Sequence, residues 1–196
     1  MMAGAHVHVL GSAPGACLPT GPAPYVLMAV NGSFLPWPTL VPDIVLLNGH
    51  TVVSDNAAQQ MTRSLMRGRH ATHVLAIADM ASLDAFATIG LGWDSIEAMD
   101  RAARQRACEQ ATGLRFRGDR GDRIPSSGVT ALCIAIDAGA TGVTFSGISM
   151  EGGYSYAPGD HARKHIDVDR RALQALGLNP DQLDPTLIRQ VPIGTG

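Results

Sequence analysis

Short apolar runs that end in small polar residues dominate the first quarter of the chain. Three of them are nearly continuous in apolar residues and do not alternate with polar ones: residues 6–11, 25–33 and 43–49. Strands have this composition when helices cover both faces of a parallel sheet. The runs end in Gly-Ser, Asn-Gly-Ser and Asn-Gly-His in turn. The pattern therefore predicts three buried parallel strands, each followed by a polar turn.

Helical periodicity and further strand-like runs alternate over the rest of the chain. A helix is predicted over residues 54–67, capped by Ser54 or Asp55, and a fourth strand over residues 71–78. Further elements are helices over residues 82–90, 93–112 and 165–176, a helix from Ser126, and a strand over residues 142–148. This alternation predicts an α/β fold: a single doubly wound, mainly parallel, Rossmann-like sheet with helices on both faces. Ligands of such sheets bind outside the carboxyl ends of the strands, where the polar motifs fall.

The length of the chain fits one domain. Its 196 residues, 45% of them hydrophobic, suffice to bury a core, so we expect residues 1–196 to form a single domain. The Pro-containing tail over residues 178–196 is expected to pack loosely, and it either lies over the surface or frays.

Charge and cysteine usage narrow the partners and the compartment. The formal net charge of -2 gives no electrostatic footprint for nucleic acid or an anionic membrane, so any anion site must be local. Cys17, Cys108 and Cys133 are odd in number and lack Cys-x-x-Cys spacing, which favours a reducing compartment. The first residues lack the pattern of a signal peptide, and no apolar run approaches 18 residues. We therefore expect a cytoplasmic protein.

The most informative segment is RIPSSGVTALCIAIDAG, which begins at residue 123. Ser126, Ser127 and Gly128 start a helix with two hydroxyls, backbone N–H groups and room for close approach, which suits an anion. Guanidinium groups match phosphate oxygens, and arginines precede this helix at Arg115, Arg117, Arg120 and Arg123. The alternatives are an ordinary serine cap on a buried helix and arginines that are solvated in a loop.

Two asparagines and a Gly-Ser turn stand at predicted strand ends. Asn31 and Asn48 each offer a donor and an acceptor together, which can read a ribose or a base edge. The turn at Gly11 and Ser12 lacks the second glycine of a GxGxxG motif, so it supports only a tight turn near a nucleotide. The alternative for each asparagine is a hydrogen bond to its own turn.

Histidines follow a glycine-rich loop near the last predicted helix. His161 and His165 lie one helical turn apart in HARKHIDVD, without the HExxH motif that would favour zinc, so no metal site is predicted. A general base is the better role for one of them, because an unperturbed imidazole titrates near neutral pH and Asp167 or Asp169 can orient it. The alternative is a histidine that caps a surface helix.

Two tyrosines, Tyr154 and Tyr156, lie in the loop that precedes these histidines. Their phenolic hydroxyls can donate to a leaving phosphate. The alternative is that the rings simply pack against the protein.

The order of these pieces resembles the bacterial sialyltransferases that use CMP-sialic acid. The family's glycine-rich turn is echoed by GSAPG, and its two strand-end asparagine motifs by AVNGSF and LLNGH. Its Arg-x-Thr-Ser-Gly-Val helix start is similar to RIPSSGV, its Leu-Ser-Gly-Ile-Asp strand to FSGIS and its Ser-Tyr-Ala to YSYA. Its histidine before Asp-x-x-Ala-Leu matches His165 of HIDVDRRAL. The resemblance extends over residues 6–176 and is most specific over residues 123–157.

The resemblance implies a sialyltransferase-type fold and a metal-independent, inverting glycosyltransferase without a cofactor. The enzyme would move sialic acid or a related acidic sugar, such as Kdo, from a CMP-sugar donor to a glycan or glycolipid acceptor, at the periphery of membrane glycan machinery. Tyr156 would assist departure of the phosphate, and His165 would take the proton from the acceptor hydroxyl. The family's first phosphate-assisting tyrosine falls near Glu151, so either Tyr154 substitutes for it or the role is lost. The implied binding residues are Gly11, Ser12, Asn31 and Asn48 for the nucleotide, and Arg123, Ser126, Ser127 and Gly128 for the phosphate and carboxylate.

Two other functions stay open at this point. A pyrophosphokinase-like enzyme with a related nucleotide-binding sheet would need ATP and a divalent metal. A non-catalytic nucleotide-binding module is the other alternative, because only residues 157–164 separate Tyr156 from His165 and the family has a longer lid there.

Overall fold

The computed structural model describes residues 1–21, 24–79, 81–116, 124–151, 153, 155–156 and 165–193. In these ranges strands β1 to β7 cover His6–Leu10, Val26–Val30, Ile44–Asn48, His70–Ile77, Gly92–Met99, Gly142–Ser146 and Arg189–Val191. Helices α1 to α6 cover Gly49–Val53, Ala57–Met66, Leu83–Ala87, Arg101–Thr112, Ser127–Asp137 and Ile166–Ala175, and a 3₁₀ turn covers Pro180–Gln182.

The seven strands of the described residues form one sheet in the order β5-β4-β3-β2-β1-β6-β7. The first six strands in this order, β5 to β6, are all parallel to their neighbours, and β7 runs antiparallel to β6. The chain moves outward from β1 to β5 and then returns to the other side of β1 as β6. The predicted α/β class with a mainly parallel, Rossmann-like sheet is confirmed. The reversal of direction creates a switch point between β1 and β6.

Helices cover both faces of this sheet. Val9 and Val30 face a core that contains residues of α4, α5 and α6. Ala29 and Leu47, from β2 and β3, face the opposite core with Phe86 of α3. The nearly continuous apolar composition of these strands is explained, because consecutive side chains enter two different cores.

Helix α5 is apolar all round because it lies at the centre of one layer. The stretch 129–135 is buried without interruption, and the helix contacts β1, β2, β3 and β6 below it and α4 and α6 beside it. A helix with neighbours on every side carries no polar face. Its position places the start of α5 over the centre of the sheet.

The predicted helix over residues 93–112 is wrong in its first part. Residues Gly92–Met99 form β5, and α4 begins only after Asp100, whose Oδ1 accepts a hydrogen bond from the Ala103 N–H at 2.7 Å. Among the described strands, β5 pairs only with β4, and much of β5 is exposed. The apolar residues Ile96 and Met99 are three positions apart, a spacing that is also typical of one face of a helix. Because the strand has no continuous apolar run, this spacing led to the wrong prediction.

The tail over residues 178–196 was not predicted to contain a strand. The structure has β7 there, with Val191 buried against β6, and the Gly147 N–H donates to the Pro185 carbonyl oxygen at 2.8 Å. The tail is held through residue 193 because it covers the outer side of β6.

Within the described ranges no helix is both long and apolar enough to cross a bilayer.

A buried histidine of β1 lies within hydrogen-bond distance of two side chains of the neighbouring strand β6. His8 is completely buried, and its ring nitrogens lie 3.0 Å from Thr144 Oγ1 and 3.3 Å from Ser146 Oγ. Burial lowers the pKa of His8 to about 4; a hydrogen bond to the Cys17 backbone opposes this shift, and the nearby His6 adds to it. The neutral imidazole is therefore part of the folded structure.

We expect the free energy of unfolding to fall as the pH is lowered from 6.5 to about 4. The pKa of His8 is about 4 in the folded protein, compared with the ordinary histidine value of 6.5 in the unfolded chain. The unfolded chain therefore binds the proton first, and the stabilisation present above pH 6.5 is lost on acidification. The loss from this group is about 3 kcal/mol, at roughly 1.4 kcal/mol per unit of pKa.

Urea unfolding at a series of pH values measures this slope. His8→Gln should flatten it relative to the wild type, whereas His73→Gln, a change at a partly exposed histidine of β4, should keep it. A His8→Gln protein with the wild-type slope would contradict the assignment.

Candidate functional site

A cavity of about 600 Å³ opens at the carboxyl ends of the strands, at the β1–β6 switch point. Its volume falls within the usual range for small-molecule sites. Eight of the residues predicted from sequence line it: Gly11, Ser12, Asn31, Asn48, Ser126, Ser127, Gly128 and His165. They come from the turns after β1 and β2, the end of β3 and the starts of α5 and α6, so the sheet topology assembles them.

The floor of the cavity is a close approach of two backbones. The Gly11 N–H donates to the Ser146 carbonyl oxygen at 2.9 Å, and the Ala13 N–H donates to the Gly147 carbonyl oxygen at 2.8 Å. A Cβ atom on Gly11 would overlap the carbonyl group of Gly147. Gly147 also has φ +67°, a left-handed conformation that favours glycine. Glycine at positions 11 and 147 is thus required by the geometry of the switch point.

The two asparagines form a hydrogen-bonded chain across three elements. Asn31 has φ +51°, and its Oδ1 accepts from the Asn48 N–H at 2.9 Å. Asn48 Oδ1 accepts from the His50 N–H at 2.9 Å, while its Nδ2 donates to Ser127 Oγ at 3.3 Å. The local alternative therefore holds for Asn48 Oδ1, but Asn31 bonds the neighbouring strand. Asn31 Nδ2 and the Ser127 hydroxyl proton are donors that these bonds do not use.

The start of α5 is anchored by an acidic residue of α6. The Ser126 N–H donates to Asp169 Oδ1 at 2.7 Å, and the Ser126 side chain makes no capping hydrogen bond. The alternative of an ordinary serine cap is therefore not what the structure has. Asp169, which was expected as one candidate to orient a histidine side chain, is completely buried beside the cavity.

His165 stands at the entrance to α6 and lines the same cavity as Ser126 and Ser127. Its carbonyl oxygen accepts from the Asp169 N–H at 2.8 Å, which fixes the backbone of the first turn. Asp167 is exposed in that turn and does not line the cavity. The helix start predicted to bind an anion, residues 126–128, and the predicted proton acceptor His165 thus line one cavity.

The structure does not bring Tyr156 into the cavity lining. Its ring is buried in the core, and a Cβ atom on Gly32 would meet the ring at 2.9 Å. The packing alternative therefore describes Tyr156 in this structure. Tyr154 lies outside the described residues, as do His161, Arg117, Arg120 and Arg123.

Arg115 is the one arginine of the group before α5 that lies within the described residues, and it is solvated, as the alternative to phosphate binding predicted. Its side chain is 88% exposed and pairs with Glu109 at 3.1 Å, away from the cavity.

Arg104 on α4 is among the lining residues of the cavity that sequence reasoning missed. The side chain is 11% exposed, and its Nη1 lies 3.6 Å from Asp79 Oδ2. Burial lowers the pKa of the Arg104 guanidinium, and the negative charge of Asp79 opposes the shift. Arginine nevertheless stays protonated. The sequence signal was a charge on the apolar face of α4, where Arg104 is buried together with Ala107 and Cys108.

The cavity combines amide, hydroxyl, guanidinium and imidazole groups at one edge of the sheet. Such a set can hold an oxyanion and a polar ring and can accept a proton from a bound hydroxyl. Within the described ranges no three His, Cys, Asp or Glu side chains lie together as a metal site would need, and the expectation of a metal-independent protein stays a prediction. No family model, curated protein or solved structure matches the chain.

We expect two glycines of the cavity to respond oppositely to alanine. Gly11→Ala should lower the free energy of unfolding by about 3 kcal/mol, since the new methyl group meets backbone that cannot move aside. Gly128→Ala should leave it unchanged or raise it by up to about 0.5 kcal/mol, because a Cβ atom there lies 3.6 Å from Ile148 Cγ1 and alanine favours helix. Urea unfolding of both variants measures the difference. Equal stability of the two would contradict the close approach at the switch point.

Proposed function

We propose that the chain is a glycosyltransferase that takes sialic acid or a related acidic sugar from a CMP-linked donor and transfers it to a glycan hydroxyl. The observation that carries the proposal is that His165 and the start of α5 line one cavity at the switch point. Nucleotide ligands of α/β sheets bind at this position. The motif resemblance over residues 123–157 supplies the donor class.

The donor would lie with its cytidine near the asparagines and its phosphate near α5. Asn31 Nδ2 is available for the base or ribose, while Asn48 holds the neighbouring backbone in place. Gly11 and Ser12 provide a turn into which a nucleotide can approach closely. The Ser127 hydroxyl can donate to the phosphate, because its oxygen already accepts from Asn48 Nδ2.

The reaction is a single displacement in this proposal. The acceptor hydroxyl oxygen attacks the anomeric carbon of the sugar, the bond from that carbon to the phosphate oxygen breaks, and CMP leaves. His165 takes the proton of the acceptor hydroxyl, and attack opposite the leaving group inverts the anomeric centre. Stabilisation of the departing phosphate falls to Ser127 and to the backbone N–H groups at the start of α5. Tyr156 has no part in this scheme, since its ring is buried outside the cavity lining.

A thermal-shift panel tests the nucleotide class. CMP should raise the melting temperature without magnesium, because a ligand that binds the folded state stabilises it by mass action. CDP, GMP and ATP, each with and without magnesium, are the comparison ligands. Stabilisation by ATP that depends on magnesium would contradict the proposal and favour the pyrophosphokinase-like alternative. CMP binding without transfer to any glycan acceptor would favour the non-catalytic module.

We expect His165→Ala to separate chemistry from binding. Loss of a general base should lower the rate of transfer from CMP-sialic acid by about 10² to 10⁴-fold, with CMP affinity changed less than about twofold. Release of CMP in the presence of a glycan acceptor and calorimetric titration with CMP measure the two quantities. His73→Gln, at a partly exposed histidine of β4, is the control that should change neither. Equal loss of affinity and rate would assign His165 to binding or folding.

Ser127→Ala should weaken CMP binding by about 1 kcal/mol, or roughly fivefold, which is the scale of one ordinary hydrogen bond. Calorimetric titration measures the change, and unfolding by urea checks that the lost bond to Asn48 has not disrupted the fold. Ser64→Ala, on the exposed face of α2, is the matched control. Unchanged CMP affinity in Ser127→Ala would remove the hydroxyl from the phosphate site.

A further inference from the structure

Arg104 is a buried cation at the edge of the cavity, with few hydrogen-bond partners among the residues that the structure describes. The residue is 9% exposed, and it lines the cavity on the α4 side. Its Nη2 donates to the Pro125 carbonyl oxygen at 3.4 Å, and its Nη1 lies 3.6 Å from Asp79 Oδ2. Its Nε is buried without a hydrogen-bond partner among the residues that the structure describes. A guanidinium group carries five N–H donors, so most of its capacity is not used by these contacts.

A buried guanidinium group normally has short, well-aligned partners. Charge-assisted hydrogen bonds between arginine and carboxylate are typically about 2.7 to 2.9 Å long and often paired. The two contacts of Arg104 are longer than this, and a buried donor without an acceptor is costly. A ligand can supply the missing acceptors, and the group that matches the planar fork of arginine is an oxyanion.

The position of Arg104 fits a bound oxyanion. The carbonyl that accepts from it belongs to Pro125, the residue directly before Ser126, so the guanidinium group lies beside the start of α5. The adjacent Asp169 uses Oδ1 to hold the Ser126 N–H, which fixes that helix start from the α6 side. An oxyanion in the cavity beside Arg104 would therefore meet a cation on one side and hydroxyl and backbone donors on the other. The buried Asp169 carboxylate, whose charge also acts on Arg104, lines the same cavity.

We propose that Arg104 is the oxyanion-binding residue of the cavity and that it pairs with the phosphate or the carboxylate of the bound donor. This inference rests on the proposed function for the identity of the donor. The guanidinium group binds the anion and at the same time holds the Pro125 carbonyl oxygen, so the anion and the start of α5 share one partner.

Calorimetric titration of Arg104→Gln, Arg104→Lys and the wild type with charged and uncharged probes tests the assignment. The probes are CMP, cytidine and free sialic acid. Arg104→Gln should weaken binding of at least one charged probe, CMP or sialic acid, by at least about tenfold and leave cytidine within about twofold, since charge-assisted bonds are stronger than neutral ones. Arg104→Lys should fall between the two, because an ammonium group lacks the fork. Arg115→Gln, at an exposed arginine, should change nothing.

The arms of the experiment distinguish the two sources of the oxyanion. Selective loss of CMP binding assigns Arg104 to the phosphate, and selective loss of sialic acid binding assigns it to the carboxylate. Equal loss of CMP and cytidine binding would make Arg104 a structural residue and overturn the inference. Unchanged binding of all three probes would also overturn it.

Two further measurements keep this inference separate from the identity of the nucleotide and from folding. The wild type could fail to bind CMP but bind GMP or inorganic pyrophosphate, with that binding lost in Arg104→Gln. The CMP proposal would then fail, and the role of Arg104 would stand. The second measurement is the NMR signal of the Arg104 Nε–H group in ¹⁵N-labelled wild type, which does not depend on whether a variant folds. It should shift when CMP or sialic acid is added and stay in place with cytidine, and an Nε–H signal that no oxyanion moves would overturn the inference.

Discussion

The close approach of two backbones at Gly11 and Gly147 is the constraint on which the cavity depends. Strands β1 and β6 run parallel and both end at this point, while the chain continues from β1 to β2 on one side and β6 lies on the other side of β1. The turns after these strands can separate only above the point of contact, and there the cavity opens. Any side chain at Gly11 would meet the Gly147 carbonyl group, so the shape of the cavity floor follows directly from backbone sterics.

The bonds that hold the fold together at this edge also define the site. Asn31 and Asn48 tie the ends of β2 and β3 to Ser127, and Asp169 ties α6 to the Ser126 N–H. Asn31 and Ser127 each use part of their hydrogen-bonding capacity in these structural bonds and keep a donor that the bonds do not use. The donors of the cavity are therefore held in position before a ligand arrives, which reduces the ordering cost of binding.

Much of this arrangement could be predicted from the sequence, because burial on both faces leaves continuous apolar runs and strand ends leave polar motifs. Strand β5 could not, since an edge strand with exposed residues has no apolar run, and β7 is too short to leave a pattern. Arg104 was missed because its neighbours on α4 form an ordinary amphipathic pattern, and the fold alone decides which face is buried. Tyr156 was assigned to the site from its loop, whereas its ring packs against Gly32.

A crystal structure of the protein grown with CMP tests the nucleotide site most directly. CMP should lie in this cavity, with its phosphate beside residues 126–128 and its cytidine beside Asn31. CMP bound on another surface, or a cavity that stays empty at saturating CMP, would contradict the assignment of this cavity to a nucleotide.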